Sequence, residues 1–157
     1  MEQAIFGAGC FWGVEATFRK IKGVKKTAVG YMGGKTQDPS YEEVCTDKTG
    51  HAEVVLVEFD PAEVPYEYLL DTFWSCHNPT EVNRQGPDVG TQYRTAIFTT
   101  SDAQQETAEK SKKELGESGR FKKPIATLIE PAGEFFMAEE YHQQYLEKKG
   151  LEACHIP

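Results

Sequence analysis

The chain has 157 residues, 39% hydrophobic and 11% aromatic, which suits one domain with a substantial core and excludes a disordered chain. Its formal charge of −8 argues against a nucleic-acid partner, and the basic clusters Lys20–Lys26 and Lys110–Lys113 lie among acids as solvated surface. No apolar run approaches a membrane span, and the strand-like "AIFG" at residues 4–7 suggests a mature start without a signal peptide, so we expect a cytoplasmic protein.

In chain order, "AIFG" runs into Gly9 and Cys10. The spacing of Phe11, Val14, Phe18 and Ile21 then predicts a helix stopped by Gly23. "KTAVGYM" (26–32) reads as a strand, and Tyr41, Val44 and Cys45 as one or two helical turns after the turn "QDPS". "HAEVVLVEFD" (51–60) is the strongest strand signal, bounded by Gly50 and Pro61. A second helix, "PYEYLLDTFWSCH" (65–77), carries Leu69, Leu70, Phe73, Trp74 and His77 on one stripe. Residues 78–92 show no periodicity and read as a long loop, which in compact domains is usually functional or disordered.

"YRTAIFTT" (93–100) is a strand, and Ser101 with Gln104 predicts a capping box opening a charged surface helix. "PIATLIEP" (124–131) is a further strand and "EFFMAEEYHQQYLEKKG" (134–150) a last helix. The alternation predicts an α/β (α+β) single domain: a mixed sheet flanked by helices in a two-layer sandwich with a ferredoxin-like core. Residues 1–150 form the catalytic domain in this reading, and "LEACHIP" (151–157) a mobile tail.

Four cysteines, Cys10, Cys45, Cys76 and Cys154, stand far apart with no C-x-x-C, so neither a thioredoxin-type motif nor a zinc ribbon is present. In "GAGCFWG" (7–13) a strand, a glycine, Cys10 and a helix follow one another. Unpaired N–H groups and the helix dipole there favour thiolate over thiol, predicting a lowered pKa and a nucleophile at neutral pH. Gly7 and Gly9 allow a tight turn and close approach. A core thiol at a strand end is the alternative. Phe11 and Trp12 can wall a small apolar group such as a thioether methyl, although one of them belongs to the core.

Glu53 shares a face of its strand with Val55, Val57 and Phe59. Buried there, its carboxyl would be neutral at pH 7 and suited to giving a proton to an oxygen; an exposed strand end is the equal alternative. Tyr41, Tyr93 and Asp88 lie in or beside turn-rich loops, where a phenol can donate to a developing oxyanion. His77 and His142 read as structural, and no two histidines have the i, i+4 spacing of a zinc helix.

These motifs resemble the peptide methionine sulfoxide reductases of the A type over nearly the whole chain. "GCFWG", "GYMGG", "PSYEEVCTDKTGHAEVV", "FWSCHNPT", "RQGPDVGTQYRTAIF" and "AEEYHQQYL" occur in the family's order. The resemblance implies that Cys10 attacks the sulfoxide sulfur, while Phe11 and Trp12 hold the S-methyl group. It further implies that Glu53 protonates the oxygen, Tyr41 and Tyr93 hydrogen-bond it, and Asp88 polarises the pocket. Methionine, free or in proteins, would be the product from the S epimer, and no metal or organic cofactor is required.

Attack would leave a sulfenic acid on Cys10, condensed by a second thiol before thioredoxin restores the enzyme. Cys154 is the expected resolving cysteine, since four extended residues of the tail span roughly 13 Å. Cys76, off the Leu69–Trp74 stripe where the family does not place a cysteine, is the runner-up. Cys45 fits the apolar side of its short helix and reads as structural. Asn78 and Phe136 depart from the family's aspartate and tyrosine. The rival readings are a cysteine hydrolase with His51 or His142 as base, and a zinc-binding module.

Overall fold

The computed structural model describes residues 1–150. Its centre is a six-stranded sheet, ordered β7-β6-β1-β3-β2-β8. The strands are β1 (Glu2–Ala8), β2 (Val24–Met32), β3 (Ala52–Phe59), β6 (Thr95–Thr99), β7 (Leu128–Pro131) and β8 (Phe136–Met137). A two-stranded hairpin, β4 (Arg84–Gln85) and β5 (Asp88–Val89), stands apart. Among the described residues only β6 and β7 pair in parallel. The helices are α1 (Phe11–Arg19), α2 (Tyr41–Cys45), α3 (Tyr66–Ser75), α4 (Asp102–Glu117) and α5 (Tyr145–Lys148). Among these, β1-α1-β2-β3-α3-β6 is the expected ferredoxin-like unit, its four antiparallel strands lying side by side as β6-β1-β3-β2.

Period two along β3 sends Val55, Val57 and Phe59 to the core that contains the buried residues of α1 and α3. Ala52 and Val54 join the opposite cluster with Ile5, Met32, Ala96 and Phe98. Aromatic packing concentrates on the helix side: Phe6 stacks on Phe18 at 5.0 Å and on Phe73 at 5.3 Å. Burying such rings is the largest source of stability in a domain of this size. His77 ends the α3 stripe as expected, buried with Nδ1 2.7 Å from the Phe73 carbonyl and Nε2 2.7 Å from Thr95 Oγ1.

The structure departs from the sequence reading in four places. Residues 134–150 are not one helix. Phe136 and Met137 pair with β2, Glu140–His142 form a 3-10 turn, and Gln144 at φ +49° sets off α5. Gln143 explains the break, because its buried amide accepts from Val29 N–H and donates to the Val29 and Ala138 carbonyls. That side chain takes the place of a strand partner, an arrangement periodicity cannot reveal.

The loop 78–92 holds the β4–β5 hairpin, fastened by Gln85, whose amide pairs with both Asn78 N–H and its carbonyl. Only Leu128–Pro131 of the expected strand 124–131 is paired in the sheet. Finally, Ser101 caps α4 by accepting from Gln104 N–H, but Gln104 answers to Thr100 N–H and the Gln3 carbonyl. The complete capping box is at Ser40 and Glu43, opening α2.

Candidate active site

Cys10 is the N-cap of α1, reached from β1 through Gly9 at φ +96°, a conformation only glycine adopts freely. The first N–H groups of α1 have no carbonyl partner within the helix. Phe11 N–H donates to Glu53 Oε1 at 3.2 Å, while the Trp12 and Gly13 N–H groups stabilise charge on the Cys10 sulfur. One helix start therefore serves both the thiol and the acid.

The register Tyr31↔Glu53 and Phe6↔Val55 sets Glu53 on the helix side of the central strand. It is 1% exposed, and its Oε2 has no partner among the described residues. Burial pushes the carboxyl up to about 8; the Phe11 N–H works against that and Asp88 adds to it. The buried alternative is thus the observed one, and at neutral pH Glu53 carries a proton.

Cys10 overturns the expectation of a lowered pKa. Burial, then the Glu53 carboxylate, push its thiol up to about 12, with Asp88 adding to the rise. The helix N–H groups pull the other way, but desolvation of a thiolate outweighs them. The resting pair is a thiol and a carboxylic acid.

Tyr41 and Tyr93 both belong to this site. Burial first, then Glu53, raise both hydroxyls above the ordinary tyrosine value. Tyr93 also senses Cys45, Asp88 and Cys10, whereas for Tyr41 the neighbouring Cys45 adds to the rise. Asp88, half-buried in β5, acts on Cys10, Glu53 and Tyr93 through its charge.

Of the two rings, Phe11 is the core residue, packed against Tyr31 and Tyr41. Trp12 is half-buried, its face stacked on Tyr145 at 3.8 Å and its indole N–H donating to His142 Nδ1 at 2.9 Å. The expectation that one of the two rings belongs to the core is met.

Sequence reasoning missed two supports and read a third, His142, only as structural. Glu139 accepts from the Tyr31 hydroxyl and from Tyr41 N–H, each at 2.9 Å, fastening α2 against β2. Buried Glu15 accepts from the Thr27 hydroxyl and from Gln144 N–H, latching the C-terminal segment to α1. His142 joins Trp12 to Tyr41, whose ring lies 4.3 Å away. A glutamate inside an apolar helix stripe was the available signal for Glu15; Glu139 left none.

The remaining cysteines also shift. Cys45 is exposed rather than on the apolar side, because in so short a helix Val44 alone takes the buried direction. Cys76 is not off the core: it is buried in the helix-side cluster, and burial pushes its thiol up to about 12. Cys154 lies outside the described residues, as does the tail 151–157 to which it belongs.

Among the described residues the rival readings find no geometry. Both His51 ring nitrogens are engaged, Nδ1 with Gly34 N–H and Nε2 with the Thr36 carbonyl, and His142 Nδ1 is taken by Trp12. Among the described residues no three His, Cys, Asp or Glu side chains gather into a metal-sized cluster.

A desolvated acid and a half-buried thiol sharing one helix start are the pairing that sulfur attack coupled to proton delivery calls for. Comparison with known proteins identifies the reaction. The family model described as peptide methionine sulfoxide reductase matches residues 2–157. The peptide methionine sulfoxide reductase MsrA of Methanothermobacter thermautotrophicus is 62% identical over 155 residues, covering 99% of this chain and 92% of that protein.

Among solved structures, reduced Mxr1 from Saccharomyces cerevisiae superposes with a TM-score of 0.86 at 39% identity, covering 95% of this chain and 86% of that one. Mxr1 in complex with Trx2 gives a TM-score of 0.62 at 26% identity, covering 92% and 84%. The chain belongs to the peptide methionine sulfoxide reductase family. Its activity is the thiol-dependent reduction of methionine sulfoxide.

Proposed function

We propose that Cys10 removes the oxygen from the S epimer of methionine sulfoxide, free or within proteins, with Glu53 as the proton donor. The observation that carries this reading is the protonated, desolvated Glu53 with Oε2 unpartnered, bound through Oε1 to the helix start that bears Cys10. A sulfoxide oxygen leaves poorly unless it is protonated, and sulfur attacks well only as thiolate.

The thiol proton therefore departs to solvent, and the thiolate attacks the sulfoxide sulfur. Glu53 gives its proton to the oxygen. The hydroxyl passes to Cys10 as a sulfenic acid, the product sulfide leaves, and Glu53 recovers a proton from water. Sulfur in the substrate is reduced by two electrons and Cys10 is oxidised by two. Tyr41 and Tyr93 donate to the oxygen, Asp88 adds to the rise that burial gives the Glu53 pKa, and Phe11 and Trp12 bound the methyl group.

Cys154 then condenses with the sulfenic acid, expelling water and forming a disulfide, in preference to the buried Cys76. A thioredoxin dithiol reduces that disulfide, a role consistent with the yeast relative's complex with Trx2. We assign the enzyme to a reducing, cytoplasmic compartment; among the described residues no helix is long and apolar enough to cross a membrane.

The test is methionine production from separate S- and R-epimers of free methionine sulfoxide, with dithiothreitol as reductant. Turnover of the S epimer alone is expected. Turnover of the R epimer, or of neither, overturns the reading.

A further inference from the structure

His142 has no part in the steps above, yet it is fully buried where two of the proposed substrate-binding rings meet. It ends the 3-10 turn Glu140–His142, and its ring lies 4.3 Å from Tyr41, 5.2 Å from Phe11 and 5.7 Å from Trp12. Tyr141 packs on it at 4.1 Å.

The hydrogen bond to Trp12 fixes the state of the imidazole. An indole nitrogen can only donate, so the His142 Nδ1 2.9 Å away carries no proton. In a neutral ring the proton is then on Nε2, which is buried without a partner among the described residues. A second proton, on Nδ1, would set two N–H donors against each other and free the indole.

From these contacts we infer that His142 is a positioning residue, a neutral imidazole that holds Trp12 and Tyr41 in register and releases Trp12 when it is protonated. The inference rests on the assignment of Trp12 to the methyl-binding wall. Tyr145 closes the other face of the indole, so Trp12 is held by one hydrogen bond and one stack.

The surroundings decide when release occurs. Burial lowers the pKa of His142 below the ordinary imidazole value, and Glu139, three residues before it, opposes that. The other titratable groups against the ring are Tyr41 from α2 and Tyr141 from its own turn. Neither carries charge in the acid range. From α1 the rings of Phe11 and Trp12 face it, and neither titrates.

The test combines substitution with fluorescence. Asparagine at this position sets its amide oxygen close to where Nδ1 stands, whereas glutamine cannot reach the indole. His142→Asn is therefore expected to keep KM for S-methionine sulfoxide within about threefold, and His142→Gln and His142→Phe to raise it roughly tenfold, the worth of one hydrogen bond. In a Trp12→Phe background His142→Phe should add less than about threefold, because the bond it removes is already gone. Equal losses in both backgrounds, or His142→Asn as impaired as His142→Phe, overturn the inference.

Fluorescence gives a second readout that needs no turnover. The chain has two tryptophans, and Trp74 is held separately by Ser111. Acidifying wild type from about pH 7.5 to 4.5 should shift the emission, and Trp12→Phe and His142→Asn should abolish the shift. A flat wild-type titration overturns the release on protonation. This readout stands even if His142→Phe fails to fold, or if the enzyme proves inactive on the S epimer and the reductase assignment falls alone.

Discussion

Replacing Glu53 with glutamine separates the proton-transfer account from a purely structural one, since the amide keeps the shape and can still accept from Phe11 N–H. Removing a general acid is expected to lower kcat/KM by about 10²–10⁴-fold. The pH profile is more diagnostic. The reactive pair holds one proton, on Glu53, while the first proton to leave the resting site comes off Glu53 at about 8 and the next off Cys10 at about 12. Wild-type kcat/KM should therefore rise about tenfold per pH unit, level off above pH 8, and the glutamine variant should show no break there.

The same group makes a stability prediction of fixed sign. Below the ordinary carboxylate value of 4.5 the side chain is neutral in both folded and unfolded chains. Between that value and about 8 only the unfolded chain ionises, so wild-type stability falls as pH rises through this window. The full loss amounts to roughly 5 kcal/mol, a large fraction of a domain's stability. Urea unfolding at pH 5 and pH 9 should show Glu53→Gln gaining on wild type at the higher pH. Parallel stability curves, or a kinetic break retained in the variant, would refute the reasoning.

Asp88 raises both Glu53 and Cys10, so Asp88→Asn should move the break in kcat/KM below pH 8; an unmoved or raised break contradicts that role. A Cβ added at Gly30 would lie 2.4 Å from the Phe136 carbonyl and 2.5 Å from the Phe135 ring. Gly30→Ala should accordingly cost about 1–3 kcal/mol in urea unfolding by prising β8 from β2. Cys76→Ser should leave both the first turnover and thioredoxin-dependent recycling intact, whereas Cys154→Ser should keep the first turnover and lose the recycling. Loss of recycling in the Cys76 variant instead would reverse the choice between the two thiols.

The ferredoxin-like unit was legible because its strands and helices carry clean periods: Val-rich alternation in β3, a helical stripe in α3, and glycine at the Cys10 turn. The C-terminal segment was not, because Gln143 and Glu139 act through side-chain bonds to distant backbone, which no local pattern encodes. Cys10 and Glu53 stood out by residue type and setting. The Cys10 pKa did not follow the sequence argument, since a helix start predicts stabilisation of the thiolate but says nothing of how deeply the sulfur is buried. His142 was visible only as an aromatic neighbour in a supposed helix; its hydrogen bond to Trp12 spans 130 positions.

The central claim is that Cys10 itself takes the oxygen. Fully reduced enzyme, freed of added reductant, should be mixed with excess S-methionine sulfoxide, and the methionine and the mass of the Cys10 peptide followed together. One equivalent of methionine per chain is expected, with Cys10 recovered as sulfenic acid or disulfide, no product from the R epimer, and none from Cys10→Ser. Methionine formed by Cys10→Ser, or formed while wild-type Cys10 stays a free thiol, would contradict the account.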